Sequence, residues 1–291
     1  MYLKTLENLD FEPSAAIECD VFLYVTCAEP RSSYIFNSVV IQARESFELL
    51  IEESGEGCEI EYAFGSFKSL LLESRKHIKL VLDISCMPRT FMAYLLSMVA
   101  ECQDVVVEVI ALYALAEFSP PSIEPVINEA IEPIHKRFAG WSSPDTKPTS
   151  LILGLGYEPD RAEGASEYFE PSDQWIFVPK SPVSEFFDKV SHNNQDLLLE
   201  TSQRRLIEYD VLNPALTYGQ LEMVVGSLID KTNPVMLPFG PKIFFFLCLV
   251  QCLNHPSLGV WHFSNKNDLF FSPDVQASDK ITGVRCVFSQ N

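Results

Sequence analysis

The run Ile243–Leu253 (IFFFLCLVQCL) carries one polar side chain, Gln251, and it limits the possible folds more than any other stretch of the chain. It reaches about half of the ~20 residues that a membrane span requires. A helix that is apolar all round must be covered all round, so the run calls for a layered fold with a substantial core. The chain has the material for this. Its 291 residues, 47% hydrophobic and 21% charged, can build one large core or two modest ones, and that composition excludes disorder and collagen-like repetition.

Short apolar strands alternate with helices along the sequence. Val21–Cys27 reads as a strand closed by Ala28-Glu29-Pro30-Arg31, after which a helix-like pattern runs to Ile51. A strand around Glu59–Ala63, a helix around Phe67–Arg75 and a β-rich stretch at Ile78–Ile84 follow. The helix Pro88–Cys102 opens on proline, whose missing N–H does no harm in a first turn, and Val105–Leu115 is another buried strand. Pro120, Pro121, Pro125, Pro133, Pro144 and Pro148 then mark residues 117–147 as a linker or irregular excursion.

Alternation resumes with strands at Leu151–Leu155, Trp175–Val178, Val235–Leu237 and Gly259–Phe263. Helices are expected at Arg161–Phe169, Val183–Val190, Tyr218–Ile229 and Lys242–Leu253, and the apolar Ile281–Phe288 adds an edge strand. Strands separated by helices in both halves predict an α/β protein of two Rossmann-like lobes with mainly parallel sheets. Residues 1–147 form the first lobe, with 117–147 as its linker, and residues 148–291 form the second.

Two landmarks recur in the same order in each half. A first strand is followed by Glu29-Pro30-Arg31 in one and Glu158-Pro159-Asp160-Arg161 in the other; a later strand is followed by Pro88-Arg89 and Pro241-Lys242, each opening an apolar helix. The repetition predicts a pseudo-duplicated unit, although Glu-Pro pairs are common at loop starts and the landmark intervals differ. Ligands of open parallel sheets bind outside the carboxyl ends of the strands, so Arg31, Arg89, Arg161 and Lys242 are expected on one rim near helix N-termini, as a site for a compact anion such as phosphate. The competing reading makes Arg31 and Arg161 loop staples paired with Glu29 and Glu158.

Charge and cysteine content narrow the function classes. Forty acidic against twenty-one basic residues give a formal charge of −19, which argues against a general nucleic-acid surface. The opening MYLKTLENLDFEPS lacks the basic and apolar regions of a signal peptide, and the chain reads as cytoplasmic with no membrane association. Eight cysteines without a C-x-x-C pair read as reduced, mostly buried thiols. Cys248 and Cys252, with His255 and His262 after them, are expected to be core packing rather than a zinc site, so no metal and no cofactor are assigned. Gly154-Leu155-Gly156 lacks the third glycine of a dinucleotide fingerprint, and no Gly-Lys-Ser/Thr loop is present. Ser85 and Cys86 are conceivable nucleophiles at a helix N-terminus, but no partner base is identifiable.

The most specific string is Asp83-Ile84-Ser85-Cys86-Met87-Pro88-Arg89, of the form Asp-x-Ser-x-x-x-Arg between a buried strand and a helix. It resembles the pattern in the CRISPR-associated Rossmann fold (CARF) family. The resemblance implies Ser85 and Arg89 as phosphate or ribose contacts, Asp83 as organiser of the turn, and a first-strand loop contributing Glu29 and Arg31. It further implies a cyclic-oligonucleotide ligand held between two copies and a role in bacterial antiviral defence. Half two departs from the pattern, with Met236 and Pro238 where Asp and Ser would stand; an Asp followed by Ser is also an ordinary helix cap. The expectation is thus a sensor or recognition subunit that binds a phosphate-bearing small nucleotide through Glu29, Arg31, Asp83, Ser85, Arg89, Glu158, Arg161 and Lys242 and works with a partner effector protein. The alternatives are a nucleotide-processing enzyme, either a ring-nuclease-like phosphodiesterase or a glycosyl-transferring enzyme, and a structural subunit without ligand.

Overall fold

The structure is a computed structural model that describes residues 1–9, 16–50, 76–119, 130–141, 147–264 and 273–290. The strand expected at Glu59–Ala63 and the helix at Phe67–Arg75 lie outside the described residues. The fold is α/β, with two compact units: Met1–Ser119 together with Lys266–Asn291, and Pro120–Asn265.

In chain order the first unit contributes β1 (Tyr2–Asn8), β2 (Ile17–Thr26), α1 (Tyr34–Ser38), β3 (Ile41–Leu50), β4 (His77–Asp83), α2 (Arg89–Glu101) and β5 (Val106–Ala116). The second unit holds β6 (Ala130–Pro133), β7 (Thr149–Gly154), α3 (Arg161–Phe169), β8 (Asp173–Lys180), α4 (Ser184–Asn193), α5 (Gln195–Glu200), β9 (Leu206–Asp210), α6 (Pro214–Leu228), β10 (Asn233–Pro238), α7 (Lys242–Asn254) and β11 (Gly259–Ser264). The chain then returns to the first unit as β12 (Ala277–Ser289).

The first sheet has the order β1-β12-β5-β4-β2-β3 and the second β6-β11-β10-β7-β8-β9. Strands β3, β2, β4 and β5 are mutually parallel, with β12 antiparallel beside β5. Strands β8, β7, β10 and β11 are likewise parallel, with β6 antiparallel beside β11. Four parallel strands therefore share order and direction in the two units, each set flanked by one antiparallel strand that comes last in the chain in the first unit and first in the second, and β9 is an addition of the second. In each unit the first parallel strand lies beside the one that leads into the Pro-basic helix.

Four expectations change. The unit boundary falls at Ser119/Pro120 rather than at Lys147, because Ala130–Pro133 inside the linker-like stretch pairs with β11 of the second unit. The terminal strand is not an edge strand of the second lobe but an interior strand of the first, held between β5 and β1 by pairings such as Val287 with Glu108 that no local pattern announces. The helix expected up to Ile51 is only the short α1. Residues 41–50 instead form β3, with Ile41, Ala43, Phe47 and Leu49 turned inward at a period of two. Strand β1 was not foreseen, since its exposed edge carries little apolar signal.

The Ile243–Leu253 run lies within α7 and is buried throughout, including Phe245, Leu249 and Leu253. Burial pushes the Cys248 and Cys252 thiols well above their ordinary value, Cys252 Sγ donates to Leu258 O, and His255 pairs with Glu222 at 3.0 Å. The two cysteines are core packing, as expected, whereas His255 lies at the partly exposed end of the helix. No helix among the described residues is long and apolar enough to cross a membrane.

Charges of alternating sign run across all six strands of the first sheet, in spatial order Arg44, Asp20, Lys79, Glu108, Arg285 and Glu7. Arg44 meets Asp20 at 3.3 Å, Asp20 accepts the Lys79 backbone N–H at 2.9 Å, and Lys79 Nζ lies 3.3 Å from Glu108. Arg285 then grips Glu108 through two bonds of 2.9 and 3.0 Å and reaches Glu7 at 2.7 Å. Burial alone would raise the Glu108 carboxyl, but hydrogen bonds and charge from Arg285 and Lys79 hold it below the usual carboxylate value. A carboxyl depressed by folding stabilises fully above its unfolded pKa of about 4.3, and that contribution is lost as pH falls through the folded value. Glu108→Gln is expected to cost about 2 kcal/mol near neutral pH, less than for a wholly buried pair because Arg285 and Lys79 keep contact with water. In urea unfolding, the gap from wild type should close as the pH is taken below about 4.

Candidate functional site

In an open α/β sheet the ligand crevice forms outside the strand carboxyl ends, where strand order reverses. In the first unit this point lies between β2 and β4, and in the second between β7 and β10, within the Rossmann order 3-2-1-4-5 of β9-β8-β7-β10-β11.

At the first point, Arg31 sits in a 3-10 turn (Pro30–Ser33) after β2 and is buried. Its Nε donates to Glu29 Oε1 at 2.6 Å, and its terminal nitrogens donate to Ser85 O at 2.9 Å and Ala114 O at 3.3 Å. The guanidinium also lies 5.8 Å from the Tyr113 ring centre, within cation–π range. Ser85 is fully buried; its N–H donates to Asp83 Oδ1 and its hydroxyl accepts from Ala114 N, each at 2.9 Å. The planar fork of arginine suits this task, since it satisfies acceptors on three chain segments from one buried position.

Glu29, Arg31 and Ser85, expected as ligand contacts, are thus occupied with protein partners. For Arg31 and Glu29 the arrangement is the loop staple of the competing reading. Asp83 closes the turn that orients Ser85. Arg89 follows this clamp as the first residue of α2 and is half-buried.

At the second point the two strand ends run backbone to backbone. Phe239 N and Gly240 N both donate to Gly154 O, at 2.8 and 3.1 Å. A Cβ on Gly240 would stand 2.5 Å from Leu155 O, and one on Gly156 would stand 2.7 Å from Phe239 O. Gly154 in turn faces the Phe244 ring of α7. The Gly-Leu-Gly sequence is therefore explained by close approach of backbone and ring. Asn194 fastens the same loop by donating to Gly156 O at 3.0 Å, and Asn193 donates to Tyr157 O. Sequence reasoning missed both asparagines, whose only signal is an Asn-Asn pair closing a helix. It also missed Tyr157 and Phe239, each beside a glycine at a strand end.

Glu158 and Arg161 form no ion pair with each other, so the staple reading does not extend to the second unit. Asp160, in the left-handed region at φ 63°, turns the chain so that Arg161 begins α3. Lys242 begins α7 after Pro241 (φ −55°, ψ 144°), just as Arg89 begins α2 after Pro88 (φ −58°, ψ 145°). In both helices the proline carbonyl accepts from the third and fourth residues that follow it, and both helices run for 13 residues.

Three helices at the carboxyl ends of the strands thus open on a basic residue. A cation at a helix N-terminus faces the positive end of the macrodipole, an unfavourable placement worth about 0.3–1 kcal/mol each. Neither α2 nor α7 has an acidic residue in its first turn to offset this. A helix start that carries a cation offers an anion both the side-chain charge and the first backbone N–H groups.

A cleft of about 410 Å³ opens elsewhere in the first unit, at the amino ends of β2, β3 and β4. Its Arg44 is paired with Asp20 and its Lys79 with Glu108 within the charge ladder. Among the described residues no three His, Cys, Asp or Glu side chains come together as metal ligands.

Comparison with protein-family models, with curated proteins and with solved structures gives no match.

Two outcomes follow from this geometry. Arg31→Met strands the buried Glu29 carboxylate and two carbonyls, and is expected to lower stability by about 3 kcal/mol in urea unfolding. Adding Glu29→Gln should recover part of that loss. Gly240→Ala drives a methyl group into a backbone oxygen and is expected to cost about 2 kcal/mol by the same measurement.

Proposed function

We propose that the chain binds a phosphate-bearing small nucleotide at the carboxyl ends of its strands and acts as a sensor or recognition subunit. The observation that carries this reading is the set of basic residues Arg89, Arg161 and Lys242, each placed first in a helix against the macrodipole of a protein with formal charge −19. Such positions cost helix stability and gain it back when an anion arrives. A phosphate accepts from the guanidinium or ammonium and from the first helical N–H groups together, in short charge-assisted bonds.

The ligand class is drawn more finely from the CARF resemblance of Asp83-x-Ser85-x-x-x-Arg89, which points to a cyclic oligonucleotide, to antiviral defence and to a partner effector. Glu29, Arg31, Asp83 and Ser85 serve this reading as the clamp that positions Arg89, and Glu158 as part of the loop that carries Arg161. The phosphodiesterase alternative loses its Ser85 route, because that hydroxyl is buried against Ala114 N.

Calorimetric titration with cyclic oligonucleotides and mononucleotides, read beside product formation, tests the proposal. Binding without turnover is expected. Arg89→Ala is expected to weaken binding at the first unit and Lys242→Ala binding at the second, each by about ten- to a hundredfold, the worth of a charge-assisted bond, with little change in the urea midpoint. Both variants binding as wild type does would overturn the assignment, and turnover would move the protein to the enzyme class.

A further inference from the structure

Helix α6 (Pro214–Leu228) is apolar on its outer face as well as its inner one. The inner face buries Leu221, Val224, Val225 and Leu228. The outer face carries Leu216, Gly219, Met223 and Gly226, with Leu212 just before the helix, and all five are exposed, Leu216 to 56% and Met223 to 71%. Their alternating spacing of four and three residues is the a/d repeat of a seam that meets another helix. Glu222 is the one charged residue between Val211 and Ile229, and it is paired with His255 at 3.0 Å. Glycine is the poorest residue but proline for a helix interior, and the fold does not call for it here, since a Cβ on Gly219 or Gly226 would meet nothing within 4 Å. Their bareness suits a neighbour from outside, whose backbone can approach closely at the two glycines.

We propose that two copies of this chain pair through α6 in antiparallel order, about a two-fold axis at the level of Leu221. The seam is self-complementary in that order, as a two-fold contact must be. Leu216 stands level with Gly226 of the second copy and Met223 with its Gly219, so that each large side chain has a glycine across from it. Charge decides the order. Antiparallel pairing brings Asp210, at one end of α6, near Lys231 of the second copy at the other end, both exposed, and it opposes the two helix dipoles. A parallel pair would set Asp210 against Asp210 and Asp230 against Asp230, a like-charge contact in a chain whose formal charge is already −19. One helix pair buries less than the roughly 800 Å² per partner of a standard interface, so the dimer is expected to dissociate in the micromolar range. The pairing does not depend on nucleotide binding.

Sedimentation velocity of the full chain, from low to high micromolar concentration, reads the pairing. The sedimentation coefficient is expected to rise from monomer to dimer across that range. Gly219→Ala should raise the urea midpoint of the dilute monomer, because alanine is the better helix former, yet weaken the dimer by about tenfold, because its Cβ holds the second helix off. Met223→Lys should abolish the dimer although it lowers the net negative charge, so general repulsion is not the cause. Lys231→Glu should weaken the dimer and Asp210→Lys added to it should restore it, with urea midpoints confirming that every variant folds. A monomer at every concentration overturns the second copy as occupant and leaves the face to a different protein. Dimers that persist in Gly219→Ala and Met223→Lys overturn the α6 seam and place the contact elsewhere, and indifference to Lys231→Glu overturns its antiparallel order.

Discussion

Arg285 holds the first sheet together. It lies near the end of the chain yet bonds to Glu7 near the beginning and, with two hydrogen bonds, to Glu108 in the middle. β12 is thereby fixed between β1 and β5, and four parallel strands gain an antiparallel flank made from both termini. Because β12 keeps its register by a buried carboxylate as well as by apolar contacts, a slip of one residue would part Glu108 from Arg285 and leave it with Lys79. The clamp at the carboxyl ends of β2, β4 and β5 exists only within that sheet.

On this frame the two switch points are built by different means. In the first unit, one buried guanidinium ties the turn after β2 to the turn after β4 and to the end of β5. In the second unit, glycines let the loops after β7 and β10 touch backbone to backbone, and Asn194 adds a side-chain fastening. Both solutions make the strand ends rigid. A rigid rim is what an electrostatic site requires, since a cation placed against a helix dipole is useful only if it cannot turn away.

The topological likeness of the units also bears on the site. Four parallel strands match in order and direction, and the helices opened by Pro88-Arg89 and Pro241-Lys242 match in length, cap geometry and hydrogen bonding. The Asp-x-Ser clamp belongs to the first unit alone, and the aromatic and glycine rim belongs to the second. The two units share a frame and differ in what furnishes it.

The helices α2, α3 and α7 and the parallel strands other than β3 and β9 were legible in the sequence because their information is local: an apolar run too long for a strand, a proline before a basic residue, β-branched stretches between turns. The Pro-basic openings identified Arg89 and Lys242, since a helix start is written in adjacent residues. The rest depended on distance. The place of β12, the unit boundary at Ser119/Pro120 and the charge ladder all join residues far apart in the chain, and the alternation of β3 was masked by a pattern that also suits a helix. The sequence named Arg31 and Ser85 by residue type and spacing, which are the same for a ligand contact and for a buried clamp. Only the tertiary structure decided between the two, because the acceptors that occupy Arg31, at Ser85 and Ala114, come from strands that meet it only after the sheet has assembled.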